Sequence, residues 1–285
     1  MTIVVTGATG QLGRLVVEQL LELGVTPDQV VAGTRRPEAL ADLADRGVRV
    51  ALVDFDDPAS LAAAFAGATK VLIVSGTDIG RRVGQHTAAA EAARAAGVGL
   101  IAYTSAPHAD TTPMRLADEH RATEQAIAAL GVPYTFLRNG WYFENYTAQI
   151  PTYLEHGAVL GAAGDGQVSG AARADYAAAA AAVLATDGHD NRVYELGGDT
   201  AFTLTELAET VADHSGKPVA YRDLPAAGFE AVLVAAGIPA PFAAILADVD
   251  ESIRAGALLV QTGDLRRLIG RPTTTLASAV AAALR

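Results

Sequence analysis

Three glycines within the first thirteen residues carry the strongest chemical signal in this 285-residue chain. Gly7-Ala8-Thr9-Gly10-Gln11-Leu12-Gly13 is spaced G-x-x-G-x-x-G. It follows the β-branched run Ile3-Val4-Val5-Thr6 and precedes apolar residues at helical spacing. Glycine is needed where a chain turns tightly and where backbone must approach a pyrophosphate, and a helix N-terminus then offers N–H groups to the anion. This arrangement predicts a dinucleotide site formed by Gly7, Thr9, Gly10, Gln11, Leu12 and Gly13. About 20 residues further on, NAD-binding chains place an acid for the ribose 2′-hydroxyl. Gly33-Thr34-Arg35-Arg36 stands there instead. Guanidinium matches phosphate oxygens with paired hydrogen bonds, so Arg35 predicts a 2′-phosphate and therefore NADP(H). Asp54 is expected either to receive the adenine amino group or to cap its loop beside Asp57. Ser75-Gly76-Thr77 is expected to pass beside the nicotinamide-side ribose.

The frame that positions these residues is legible as short apolar runs alternating with helical patterns. Strands are predicted over 3–6, 30–32, 48–53, 71–74, 100–103 and 134–137, with a helix after each of the first five. Runs that are apolar throughout imply a parallel sheet covered on both faces. Residues 1–140 are thus read as a doubly wound α/β Rossmann domain that binds NADP. Residues 141–285 are read as a smaller, mainly substrate-side α/β lobe, with a strand near 193–196 returning to the sheet. Residues 140–172, rich in glycine, read as an extended loop region. An alanine-rich helix follows Asp175, and a short strand is expected near 219–221. A lobe of this kind completes a cleft at the carboxyl ends of the strands.

Composition excludes several chemistries. Twenty-one basic against 32 acidic residues give a net charge of −11, which argues against nucleic acid or an anionic membrane surface as partner. There is no cysteine, hence no disulfide, iron–sulfur cluster, Cys-ligated zinc or thiol catalysis. The six histidines include no i, i+4 pair, so no metal site is expected. The alanine stretch from Ala177 to Ala185 is too short for a membrane span, and the N-terminus has no basic lead, so a cytoplasmic location is expected. Short-chain dehydrogenases activate a tyrosine with a lysine four residues later. The only lysines here are Lys70 and Lys217, and neither has a tyrosine in that place. About a dozen residues after Ser105, Leu116 occupies the tyrosine position and His120 the lysine position. Reversible alcohol oxidation is therefore not expected, and a hydride acceptor needing little acid assistance is. His120 is read as a surface or cofactor-adjacent residue, and His108 as a residue lining a substrate pocket.

Longer stretches carry a family resemblance. They include Ile101-Ala102-Tyr103-Thr104-Ser105, Leu116-Ala117-Asp118-Glu119-His120, Leu137-Arg138-Asn139-Gly140-Trp141-Tyr142, Gly161-Ala162-Ala163-Gly164-Asp165-Gly166 and Arg173-Ala174-Asp175-Tyr176-Ala177. With the glycine motif, these resemble the atypical short-chain dehydrogenase/reductase group of NmrA-like proteins, and within it the bacterial NADPH-dependent quinone oxidoreductases. The resemblance implies two-electron reduction of small quinones by hydride from NADPH. It implies that Asn139, Gly140, Trp141 and Tyr142 close over the nicotinamide, with Asn139 and Tyr142 orienting a quinone oxygen. Trp141 and Phe143 would be apolar walls beside His108, and Arg173 would reach the cofactor. The same resemblance admits a non-catalytic NADP-binding redox sensor that regulates a partner protein.

Overall fold

The computed structural model describes residues 1–285, which divide into two compact units. The first comprises Met1–Ala106, Glu119–Asn139 and Arg173–Tyr194. It starts with β1 (Ile3–Val5), α1 (Gln11–Glu22), β2 (Val30–Thr34), α2 (Ala41–Asp45), β3 (Arg49–Leu52) and α3 (Pro58–Phe65). β4 (Lys70–Ile73), α4 (Arg82–Ala95), β5 (Leu100–Ser105), α5 (Arg115–Ala129) and β6 (Tyr134–Asn139) continue the alternation. Seven strands form one sheet in the order β3-β2-β1-β4-β5-β6-β8, where β8 is Arg192–Leu196. The pairings from β3 across to β6 are parallel, with Val4 registered on Val31 and on Val71.

All three residues of β1 and all six of β5 are buried, as expected of strands covered on both faces. Val4, Val31, Val71, Ile73, Ile101 and Phe136 pack with Leu61, Phe65, Ala89 and Ile127 into one core. The helix α8 (Arg173–Ala185) packs on α1, where its small alanine side chains let the two helices approach closely. Asp57 caps α3 by accepting the Ala59 N–H, with Pro58 in the first turn. Chain order reverses at β1, between β2 and β4, which leaves a crevice beyond the carboxyl ends of β1 and β4.

The second unit comprises Pro107–Asp118, Gly140–Ala172 and Glu195–Arg285. Its elements are α6 (Glu144–Thr147), α7 (Ile150–His156), β7 (Ala158–Gly161), α9 (Leu204–Ser215), β9 (Ala220–Asp223), α10 (Ala226–Ala235), α11 (Ala240–Arg254), α12 (Asp264–Ile269) and α13 (Leu276–Ala283). Residues 140–172 are not the extended loop expected. They contain two helices and a strand, because Ile150, Tyr153 and Val159 are buried and β7 pairs in parallel with the distant β9. Their glycines serve close packing: a side chain at Gly166 would press into the Ile253 backbone. The chain passes from the first unit to the second at Asn139–Gly140. Residues 173–194 belong to the first unit, since α8 packs on α1, and residues 107–118 to the second, where the Arg115 N–H donates to Asp248. No helix is long and apolar enough to cross a membrane.

Candidate cofactor site

The glycine turn is built by close approach. Gly7 lies in the left-handed region at φ +64°, and the Gly10 N–H donates to the Gly7 carbonyl at 2.8 Å. A Cβ on Gly13 would collide with that same carbonyl, so only glycine lets the start of α1 sit against the turn. Gly33 has an equally local cause: a Cβ there would stand 2.6 Å from Val53. The Gly33 carbonyl accepts the Ala8 N–H at 2.9 Å, tying the end of β2 to the turn.

A cleft of about 340 Å³ opens over these strand ends, lined by Gly7, Thr9, Gly10, Arg35, Asp54, Ser75, Gly76 and Thr77 among others. It brings together three segments that lie far apart in sequence. Thr9 and Thr34 share a hydroxyl hydrogen bond of 2.9 Å, and Thr34 Oγ1 accepts the Arg36 N–H at 3.1 Å, which fixes the bend after β2. Arg35 and Arg36 are exposed and neither is held by a carboxylate. Arg14, by contrast, is engaged by Asp42 and Glu18. Asp54 accepts the Asp56 N–H at 3.0 Å while Asp57 caps α3, so both of the roles open to Asp54 remain compatible with its place in the cleft. The Ser75 N–H donates to Thr104 Oγ1 at 2.8 Å.

Ser75, Gly76 and Thr77 all line the cleft, together with Asp78. Gln85 Nε2 donates to Asp56 at 3.0 Å and reaches Asp78 at 3.4 Å, which ties the segment to the loop that carries Asp54 and Phe55. No local pattern in the sequence marks Phe55, Asp78 or Gln85. They converge because α3 and α4 pack together. Gln11 lies in a neighbouring hollow with Arg14 and Arg36, while Leu12 and Gly13 are buried in α1.

The remaining predicted residues divide between the two units. Asn139 ends β6 and is 5% exposed, and Arg173 begins α8. In the second unit Tyr142 bridges to Ala171, with Trp141 and Tyr142 partly exposed. Phe143 is a core residue there, 2% exposed against Phe202 with ring centroids 5.7 Å apart. His108 has φ +51°, donates its backbone N–H to Glu195 at 3.0 Å, and holds its ring 3.8 Å from the same carboxylate. His120 is neither on the surface nor in the cleft. It is 7% exposed with its Nδ1 2.8 Å from the Tyr103 hydroxyl, because this position of α5 faces inward, as Thr123 and Glu124 do. Burial, then the charge of Arg82, hold its pKa down at about 3.

Residues 1–254 match the NmrA-like family. The chain belongs to the NmrA-like family. It is 50% identical to quinone oxidoreductase 2 of Escherichia coli K12 over 98% of this chain and 97% of that protein. The crystal structure of the E. coli NADPH-dependent quinone oxidoreductase complexed with NADPH superposes with a TM-score of 0.97, at 48% identity over both full chains. The Citrobacter triphenylmethane reductase complexed with NADP(H) superposes with a TM-score of 0.94 at 40% identity, covering 99% of this chain and 100% of that one.

Proposed function

We infer that this chain is an NADPH-dependent quinone oxidoreductase. The observation that carries the reading is a cleft over the glycine turn in a fold shared end to end with an NADPH-bound quinone reductase. The fit is physical. The turn at Gly7 leads into the N-terminus of α1, which suits a pyrophosphate, and Arg35 and Arg36, which no carboxylate neutralises, suit a 2′-phosphate.

Bound NADPH supplies the hydride. The chain's residues bind, orient and exclude water. Gly7, Thr9, Gly10 and Gln11 hold the pyrophosphate, Arg35 the 2′-phosphate, and Asp54 with Phe55 the adenine. Asn139 and Tyr142 orient a quinone oxygen as negative charge develops on it, beside Gly140 and Trp141, and Arg173 contacts the cofactor. A quinone is already electrophilic and its reduction gives an aromatic hydroquinone anion, so alignment on the nicotinamide carries most of the catalysis and water protonates the product. That accords with Leu116 in the tyrosine position. His120, buried and neutral, is no proton donor. Since NADPH is a reductant of the cell interior, we place the protein in the cytoplasm.

The test follows absorbance of the reduced cofactor with a panel of small quinones. Consumption of NADPH well ahead of NADH is expected, whereas tight NADP binding with no consumption would favour a redox sensor. Arg35→Ala should weaken NADPH by about 10- to 150-fold, on the order of 1.5–3 kcal/mol, with little change for NADH. Unchanged NADPH affinity would remove Arg35 from the site.

A further inference from the structure

Beneath the segment from Ser75 to Gly80 lies a buried polar circuit whose two ends both return to that segment. At one end the Gly76 N–H donates to His86 Nε2 at 2.9 Å. His86 Nδ1 faces Thr123 Oγ1 at 3.2 Å and the Tyr103 hydroxyl at 3.4 Å, and Thr123 donates to the Glu119 carbonyl at 2.8 Å. The Tyr103 hydroxyl lies 2.8 Å from His120 Nδ1, and His120 Nε2 lies 3.5 Å from Arg82 Nη1. Arg82 Nε donates to Glu119 Oε2 at 2.6 Å, and Glu119 Oε1 accepts the Gly80 N–H at 2.8 Å. His86, Tyr103 and Thr123 are fully buried, and Arg82 and His120 nearly so.

The sense of the circuit is fixed by two members that can only donate, the Gly76 N–H and the Arg82 guanidinium. Nε2 of both imidazoles must therefore accept, which puts each ring proton on Nδ1. His86 then donates to Thr123, and His120 to Tyr103. A proton on either Nε2 would set donor against donor. Burial, followed by the positive charge of Arg82, also opposes it, holding His86 at about 4 and His120 at about 3. Both rings are neutral at pH 7, and the circuit acts as a fixed scaffold rather than a proton store.

The segment itself is neither helix nor strand, so its shape depends on what grips it. We propose that His86 and His120 are positioning residues whose circuit clamps Gly76 and Gly80, holding Gly76-Thr77-Asp78 as a wall of the NADPH cleft. Neither ring is among the residues lining the cleft. The clamp acts through backbone N–H groups, so its effect falls on cofactor affinity and not on hydride transfer. The identity of the ligand rests on the function proposed above.

His86→Leu removes the acceptor, whereas His86→Gln keeps one, because Gln Oε1 can take the Gly76 N–H. The first should raise the Kd and KM for NADPH about tenfold, with kcat at saturating NADPH within about twofold. The second should recover affinity to within about threefold of the native chain. Tyr103→Phe cuts the circuit midway while keeping the ring, and should raise Kd about threefold. Amide hydrogen exchange at Gly76 and Gly80, read without cofactor, should quicken in the Leu and Phe variants. Native affinity and native exchange in His86→Leu would overturn the clamp. So would a Gln variant no better than the Leu variant, since lost packing would then explain both. Should His86→Leu not fold, Tyr103→Phe decides on the same readouts. A chain that reduced no quinone would defeat the assigned reaction, while binding and exchange would still decide the clamp.

Discussion

Each of the two units buries a polar cluster that includes tyrosine, and the two are completed differently. In the first unit the two histidines, Tyr103 and Thr123 enclose a guanidinium, Arg82, which is paired with Glu119. In the second, Asp250 is buried near Tyr146, Tyr153 and Tyr221 and accepts the Ala162 N–H at 2.7 Å. The nearby arginine, Arg254, is committed to the exposed Asp223. The Tyr146 hydroxyl, fully enclosed, has no partner. A buried cluster with its cation inside is cross-linked. One with its cation outside carries a carboxyl that burial pushes up to about 6.

Acid should therefore act on the two in opposite directions. His86 and His120 are held below their ordinary 6.5, so the unfolded chain takes up protons first. The stability they contribute is whole above pH 6.5 and is lost as pH falls toward 4 and below. Asp250 is held above its ordinary 3.8, so the folded chain takes up the proton first and gains stability as pH falls from about 6 toward 3.8. Protection of amides from hydrogen exchange, taken relative to the intrinsic rate at each pH, should fall first at Gly76 and Gly80 and not around Ala162 as pH is lowered from 7 to 4.5. Earlier loss of protection around Ala162 would reverse the comparison.

Four substitutions sharpen it, in falling order of effect. Arg82→Met leaves Glu119 partly buried without its cation and should cost about 3–5 kcal/mol of stability in urea unfolding. Asp250→Asn keeps an acceptor for the Ala162 N–H and removes the buried charge. It should add about 2 kcal/mol at pH 7.5, a gain that vanishes by pH 4. A gain independent of pH would show that charge is not the cause. The two tyrosines give the smallest and most direct contrast. Tyr103→Phe should cost about 1–2 kcal/mol by stranding the His120 Nδ1–H, while Tyr146→Phe should be neutral or stabilising by up to about 1 kcal/mol. Equal losses in the two would mean that the Tyr146 hydroxyl is satisfied after all.

What sequence reading reached in this chain was whatever is encoded locally. The apolar runs at Ile3-Val4-Val5 and Leu100-Ile101-Ala102-Tyr103 are strands because burial on both faces leaves no polar alternation to confuse. The glycine turn and Arg35 were legible for a related reason: a tight turn and the residues ending the next strand are set by neighbours along the chain. Residues 140–172 look like loop in the sequence because their strand pairs with one some sixty residues later, and because glycines that permit close packing look like glycines that permit flexibility. Phe55, Gln85 and the inward turn of His120 depend on how helices settle on the sheet. Asn139 and Tyr142 were reached through the resemblance of their segment, not through any property of the isolated residues.

The fit of Gly33 against Val53 has a consequence for how cofactor choice can drift. The acid that favours NADH ordinarily stands at the end of the second strand. Here a side chain at Gly33 would drive into Val53, so that position is closed to single-step change. A lineage, or an engineer, seeking NADH preference must exchange Arg35 or Thr34, or else alter Gly33 and Val53 together.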